Sequence, residues 1–275
     1  GRGDGLAPQG PEAQVLATRA DRLAKLLRLG RDQHQVGAGR RLLQALQEGV
    51  LGGLVHAVGV VHDEDPAAGL ERGDHIGLYL RNGVEYMVAL LAALKIRAVP
   101  ININFRYAEK ELYYLFDNAD LVAMIHHREF CPRIAAVAER LPKLQTFFAV
   151  DDGSDADCSA IGSRGYAEEL ANASPQRDFA PRSGDDPYIL YTGGTTGMPK
   201  GVIHVHSSLK GTSDTYALDV LGIREDDVVF SVAKLFFAYG LGNGMTFPLA
   251  VGATTAPTAG SRPTPLPACS LSYRR

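Results

Sequence analysis

The chain has 275 residues, with 28 Lys+Arg against 31 Asp+Glu and a formal net charge of −3. That length holds one large domain or two modest ones, and the lack of excess positive charge excludes a general nucleic-acid binder. Hydrophobic residues at 45% and charged residues at 21% exclude disorder throughout.

Residues 1–10 are Gly/Pro-rich and read as frayed. Over 13–28, Val15, Leu16, Ala20, Leu23, Leu26 and Leu27 share one stripe and predict a helix. In 30–69, Leu42, Leu43, Leu46 and Val50 repeat helically but the following stretch has no clear period, so 1–70 reads as a poorly defined N-terminal segment, with Asp63, Glu64 and Asp65 as a solvated loop. From Gly73 the pattern sharpens. His75–Leu80 predicts a strand closed by an Asn82-Gly83 turn, and Glu85–Leu94 an apolar helix. Ala98–Ile103 is strand-like, Ala108–Asp117 is an amphipathic helix with acids in its first turn, and Leu121–Ile125 is a buried strand. Ile134–Arg140 predicts a helix and Thr146–Val150 another strand. This alternation is the rhythm of a parallel sheet covered on both faces, an α/β fold with parallel or mixed sheets flanked by helices.

Residues 151–184 read as a surface connection with a short helix near Tyr166–Ala171. Tyr188–Tyr191 is then a strand, a helix follows from about Ser207, and Val228–Val232 is a further strand. Gly240–Pro248 predicts a helix packed through its glycines, and 256–275 loses periodicity and reads as an unstructured tail.

Cys131, Cys158 and Cys269 are odd in number and contain no CxxC pair, which argues against a disulfide framework or zinc site and for a reducing, cytoplasmic setting. No stretch approaches the ~20 apolar residues of a membrane span, and the first residues lack a secretory pattern. Arg2-Gly3-Asp4 reads as a chance tripeptide. His204 and His206, two apart, cannot share a helix face, and the adjacent His126 and His127 fail the same test, so no metal ligand is assigned.

The informative segment is Tyr191-Thr192-Gly193-Gly194-Thr195-Thr196-Gly197-Met198-Pro199-Lys200-Gly201. Its glycines permit positive φ and close approach of backbone N–H groups to an anion. Thr192, Thr195 and Thr196 add hydroxyl donors, and Lys200 adds a point charge. The spacing fits neither a Walker A loop nor a GxGxxG fingerprint. Composition alone also allows a plain Gly/Thr turn after a strand. The second constellation is Lys234-Leu235-Phe236-Phe237-Ala238-Tyr239-Gly240. Phe236 and Tyr239 could wall a flat apolar slot with room left by Ala238 and Gly240; the alternative is a core aromatic stripe with glycine helix packing.

YTGGTTGMPKGV resembles the signature loop of the adenylate-forming (AMP-binding) superfamily, which includes acyl-CoA synthetases, aryl-CoA ligases, luciferases and peptide-synthetase adenylation domains. Residues 73–125 resemble the amino-terminal part of fatty-acyl-CoA synthetases, and 222–255 resemble benzoate-type aryl-CoA ligases. The resemblance implies a partial N-terminal domain over 71–255 and ATP-dependent activation of an aromatic or fatty carboxylic acid to an acyl-adenylate, then an acyl-CoA thioester. It implies ATP, Mg2+ and coenzyme A as cofactors, with Thr192, Gly193, Gly194, Thr195, Thr196, Gly197 and Lys200 on the ATP phosphates. Lys234, Phe236, Phe237, Ala238, Tyr239 and Gly240 would line the acyl pocket. The family's adenine-, magnesium- and ribose-binding segments and its late catalytic lysine have no counterpart in this sequence, nor do 28–68 and the tail match the family. The expectation is therefore a truncated form of weak or no complete activity. The rival reading is a non-catalytic nucleotide-binding remnant or interaction module.

Overall fold

The computed structural model describes residues 70–173, 183–193 and 197–257. The expected helix at 13–28, most of the aperiodic N-terminal segment and nearly all of the expected tail lie outside these residues. The elements run β1 (His75–Tyr79), α1 (Val84–Lys95), β2 (Val99–Asn102), α2 (Glu109–Asn118), β3 (Ala123–His127), α3 (Cys131–Ala138), β4 (Thr146–Val150) and β5 (Arg164–Gly165). They continue with α4 (Tyr166–Asn172), β6 (Pro187–Tyr191), β7 (Gly201–Val205), α5 (His206–Thr212), β8 (Val228–Ser231), α6 (Ala238–Leu241), α7 (Phe247–Val251) and β9 (Thr254–Pro257).

Seven strands form one sheet in the order β5-β4-β3-β1-β2-β6-β7, parallel except for β7, and β8 and β9 form a separate parallel pair. The fold is thus α/β with a mixed sheet flanked by helices. The inner strands are apolar on both faces, and β1 to β4 are buried along nearly their whole length, the pattern a doubly covered parallel sheet demands.

Pro100 sits in β2, an inner strand, where a missing N–H normally breaks the ladder. The register shows why it is tolerated. Val99 and Ile103 donate their N–H groups to Asp74 and Leu78 on the β1 side, so the odd-numbered N–H groups face β1. The lost donor at Pro100 faces β6, and β6 pairs only from Ile101 onward.

α1 ends on Arg97 in the left-handed region, φ 63°, a position where glycine is the usual residue. Arg97 offsets that conformation with side-chain bonds glycine cannot make. Its guanidinium donates twice to the Asp186 carboxylate, at 2.8 and 2.7 Å. Asp186 also accepts the Ser183 N–H at 2.8 Å. The pair fixes the turn after α1 to the start of β6, the strand that feeds the Gly/Thr loop.

Three differences from the sequence reading have physical reasons. First, β7 was hidden because GVIHV is short, starts on Gly and carries a His, which weakens strand patterning. Second, the predicted single helix at 240–248 is longer and irregular: α6 passes into π-helical Gly242–Thr246 and then α7. Third, Cys131 and Cys158 are joined by a disulfide, with Cα atoms 5.1 Å apart. The chain spacing of these cysteines said nothing of this; their proximity arises because α3 and the connection after β4 pack together at one end of the sheet.

Asp186 yields a pH prediction. The Arg97 hydrogen bonds, against opposing burial, hold its carboxyl down to about 2. A carboxyl whose folded pKa lies below the unfolded value of ~3.9 stabilises fully above that value and loses the effect as pH falls through the folded pKa. Urea unfolding of Asp186→Asn should therefore show a stability loss that is constant near neutral pH and closes as pH falls from about 4 to about 2. A gap that does not change with pH would show that the ion pair is not its source.

Candidate active site

The Gly/Thr loop leaves the carboxyl end of β6 and returns as β7. Its base is closed twice: the Thr192 N–H donates to the Lys200 carbonyl at 2.9 Å, and the Lys200 N–H donates to Thr192 Oγ1 at 3.1 Å. Thr192 Oγ1 thereby accepts a bond while its own hydrogen remains a donor. Tyr191, the last residue of β6, donates its hydroxyl to Asn118 Oδ1 at 2.8 Å, and burial pushes its pKa up to about 12. The strand end is thus held to α2, and Pro199 is buried on the return side.

Gly193 and Gly197 have open space where a Cβ would stand. Neither they nor Gly201 has positive φ; among the described glycines only 73, 153, 162, 222 and 252 do. Positive φ at the loop glycines, expected from composition, is not what these three supply. Gly193 and Gly197 leave the loop unobstructed, and Gly201 lets β7 approach Ile189 and the Tyr191 ring, at 3.1 and 3.2 Å from the place of its Cβ. Gly194, Thr195 and Thr196 lie outside the described residues.

The strand β7 also places the two histidines. His204 stacks on Tyr188 across the β6–β7 pair, with ring centroids 5.1 Å apart. The His206 N–H donates to the Asp186 carbonyl at 2.9 Å. Among the described residues no group of three or more His, Cys, Asp or Glu could hold a metal ion.

The second constellation follows β8. Its backbone is gripped by residues some 150 positions earlier. Asn82 Oδ1 accepts the Leu235 N–H at 2.8 Å, and Asn82 Nδ2 donates to the Ala233 carbonyl at 3.2 Å. The Tyr86 hydroxyl donates to the Leu235 carbonyl at 3.3 Å. Phe236 is only 4% exposed and meets Phe105 edge-on, centroids 5.1 Å apart. Phe105 continues through Phe130 to Tyr79 in a row of stacked rings, and the Arg81 guanidinium lies over Phe105 and Phe130 while pairing with Glu129. Phe237 and Tyr239, at 39% and 72% exposure, reach solvent instead. Burial, then the nearby Arg106 and Arg81 charges, lowers the Lys234 pKa.

Gly240 is not a gap left for a ring. A Cβ there would sit 2.0 Å from the Lys234 carbonyl oxygen and 2.6 Å from its carbon, so the space is filled by the chain's own backbone. The start of α6 folds over the segment that precedes it, and the Phe237 N–H bonds the same Lys234 carbonyl at 3.0 Å.

One edge of the sheet collects these parts. β1, β2, β3 and β6 are parallel, so their carboxyl ends share that edge. Asn82, Phe105 and Phe130 each stand three residues beyond their strands. The 233–236 segment sits on the first two, and the Gly/Thr loop issues from β6 beside β2. In open α/β sheets this is the edge that binds ligands.

Sequence reading missed Asn82, taken there as a turn residue, and Tyr86, taken as part of an apolar helix. An amide at the carboxyl end of an inner strand was the available signal.

The sheet and its loop-bearing carboxyl edge define an α/β domain with a mixed sheet flanked by helices. A family model described as AMP-binding enzyme matches residues 66–271, and the chain belongs to that family. It is 51% identical over 141 residues to a 3-oxocholest-4-en-26-oate–CoA ligase of Rhodococcus rhodochrous, covering 51% of this chain and 25% of that protein. It is 42% identical over 199 residues to the benzoate–CoA ligase of Thauera aromatica, covering 72% of this chain and 36% of that protein. Among solved structures, a benzoate CoA ligase from Burkholderia xenovorans LB400 superposes with a TM-score of 0.66 at 29% identity, covering 88% of this chain and 46% of that one. The chain thus spans less than half the length of these relatives. Among the described residues no helix is long and apolar enough to cross a membrane.

The close packing at Gly240 can be tested directly. Gly240→Ala forces a Cβ into backbone that has no rotamer by which to yield, and should cost about 1–3 kcal/mol in urea denaturation, the usual penalty of overpacking. Unchanged stability would show that the 234–240 turn is looser than described.

Proposed function

We propose that this chain binds ATP through the 192–200 loop and presents a carboxylic acid to its α-phosphate, the first step towards an acyl-CoA thioester. The observation that carries the reading is the loop itself: glycines with open space where side chains would stand, hinged at its base by the Thr192–Lys200 pair, on the ligand-binding edge of a parallel sheet. Thr192 Oγ1 retains a hydrogen to donate, and Lys200 is an exposed ammonium, which together suit phosphate oxygens. Gly193, Gly194, Thr195, Thr196 and Gly197 complete the phosphate site in this reading. Mg2+ arriving with the nucleotide would neutralise part of the triphosphate charge. What the protein supplies is position: donors fixed before reaction, which act most strongly where charge develops on the departing pyrophosphate.

The acid is assigned to Lys234, Phe236, Phe237, Ala238, Tyr239 and Gly240. In this division Phe236 and Gly240 hold the segment's shape, Phe237 and Tyr239 offer aromatic surface, and Lys234 offers charge to a carboxylate. The named substrates of the relatives include an aromatic acid and a steroid side-chain acid. An aromatic acid is favoured because the benzoate–CoA ligase match covers 72% of the chain against 51% for the other. Coenzyme A is the proposed acceptor of the acyl group.

Exchange of labelled pyrophosphate into ATP, dependent on benzoate, tests the assignment. Only weak exchange is expected from the chain, and it should fall at least about tenfold in Lys200→Ala, the loss of one charge-assisted contact to phosphate. ATP that raises the melting temperature without exchange would favour nucleotide binding without catalysis. Neither exchange nor protection would refute the phosphate-loop reading.

A further inference from the structure

Asn82 stands apart from every residue so far given a role. It is 6% exposed and belongs to no catalytic motif, yet it spends both ends of its amide on backbone far along the chain. Oδ1 takes the Leu235 N–H and Nδ2 gives to the Ala233 carbonyl, and the Tyr86 hydroxyl donates to the Leu235 carbonyl in the same segment. An asparagine amide used this way mimics a strand: one donor and one acceptor aligned with one peptide unit on either side of Lys234. Residues 232–237 lie between β8 and α6, outside the strands of both sheets. These three bonds, Phe236 against Phe105 and the turn closed on the Lys234 carbonyl all help to set their shape.

We infer that Asn82 is a positioning residue for acid selectivity, clamping the 233–235 backbone so that Lys234 and the 236–239 aromatics are held in one arrangement. The inference rests on the acid-pocket reading of 234–240 given above. A lost clamp deprives the buried Leu235 N–H and the half-buried Ala233 carbonyl of these bonds, and a segment outside the sheet ladders relieves that cost by moving. Movement there loosens acid recognition while the nucleotide loop, held separately by Thr192 with Lys200 and by Tyr191 with Asn118, stays in place. The phosphate contacts therefore do not share the effect.

The test uses the whole chain as wild type, Asn82→Ala, Asn82→Asp and Tyr86→Phe. Amide hydrogen exchange over 233–241 reads the clamp, and equilibrium binding of benzoate, octanoate and ATP reads the selectivity. Asn82→Ala should speed exchange in 233–241 and weaken benzoate binding by about tenfold, the worth of roughly one to two net hydrogen bonds. It should also narrow the preference between benzoate and octanoate and leave ATP affinity within about twofold. Asn82→Asp keeps the acceptor for Leu235 but sets a carboxylate against the Ala233 carbonyl, and should fall between; Tyr86→Phe should lose about threefold. These two carry the test if the alanine variant does not fold. Unchanged exchange over 233–241 would overturn the clamp. Faster exchange with unchanged benzoate binding, or equal losses for ATP and benzoate, would overturn its role in selectivity. A wild-type chain that binds ATP but neither acid would overturn the acid-pocket reading and the selectivity role with it, and the exchange data would show that failure to be distinct from a failed clamp.

Discussion

Parallel pairing is the constraint on which the rest of the structure depends. A strand cannot return to a parallel neighbour through a tight turn, so each must cross over by a helix and re-enter from the same side. β1 to β4 and β6 obey this, and every exit from them therefore lies on one edge. That edge receives Asn82, Phe105, Phe130 and the Gly/Thr loop without any special device. Only β7 reverses direction, and its reversal is what turns an exit from β6 into a closed loop with both ends fixed.

The two candidate constellations are held in unlike ways. The Gly/Thr loop is tied at its base by bonds only a few residues apart in sequence, with Tyr191 and the Arg97–Asp186 pair steadying the strand beneath it. The 233–240 segment is tied across some 150 residues, by Asn82 and Tyr86 from the first βα unit and by the Phe105–Phe236 contact from the second. One site is largely local in construction, and the other exists only once β1, α1 and β2 have assembled.

That difference governs how much of each was legible beforehand. The inner strands and α1, α2 and α4 were readable because continuous apolar runs and 3.6-residue stripes report burial directly. Their observed ends differ from the expected ones by one or two residues, where capping rather than periodicity decides. The Gly/Thr loop was recognisable as a candidate site for the same local reason. Asn82 was not, since an Asn-Gly pair looks like a turn until the partner chain segment is in place. Gly240 was misread as spare room because a sequence cannot show that the volume beside a glycine is already occupied by a carbonyl. The pairing of Cys131 with Cys158 and the strand β7 were hidden likewise by non-local causes. Pro100 shows the converse: a residue that argues against an inner strand is harmless when its missing donor faces the one stretch where the neighbouring ladder has not begun.

The disulfide has a topological consequence. Cys131 opens α3 and Cys158 lies in the connection after β4, so the bond closes a covalent ring containing α3, β4 and the aspartate-rich stretch at 151–157. That stretch is exposed along alternate residues, the kind of surface segment where a protease cuts first. A single cut inside the ring opens it without dividing the polypeptide: the part that carries β4 stays joined to the part beyond the break through the Cys131–Cys158 bond. This exposed connection is therefore one at which cleavage does not release a fragment while the bond is intact.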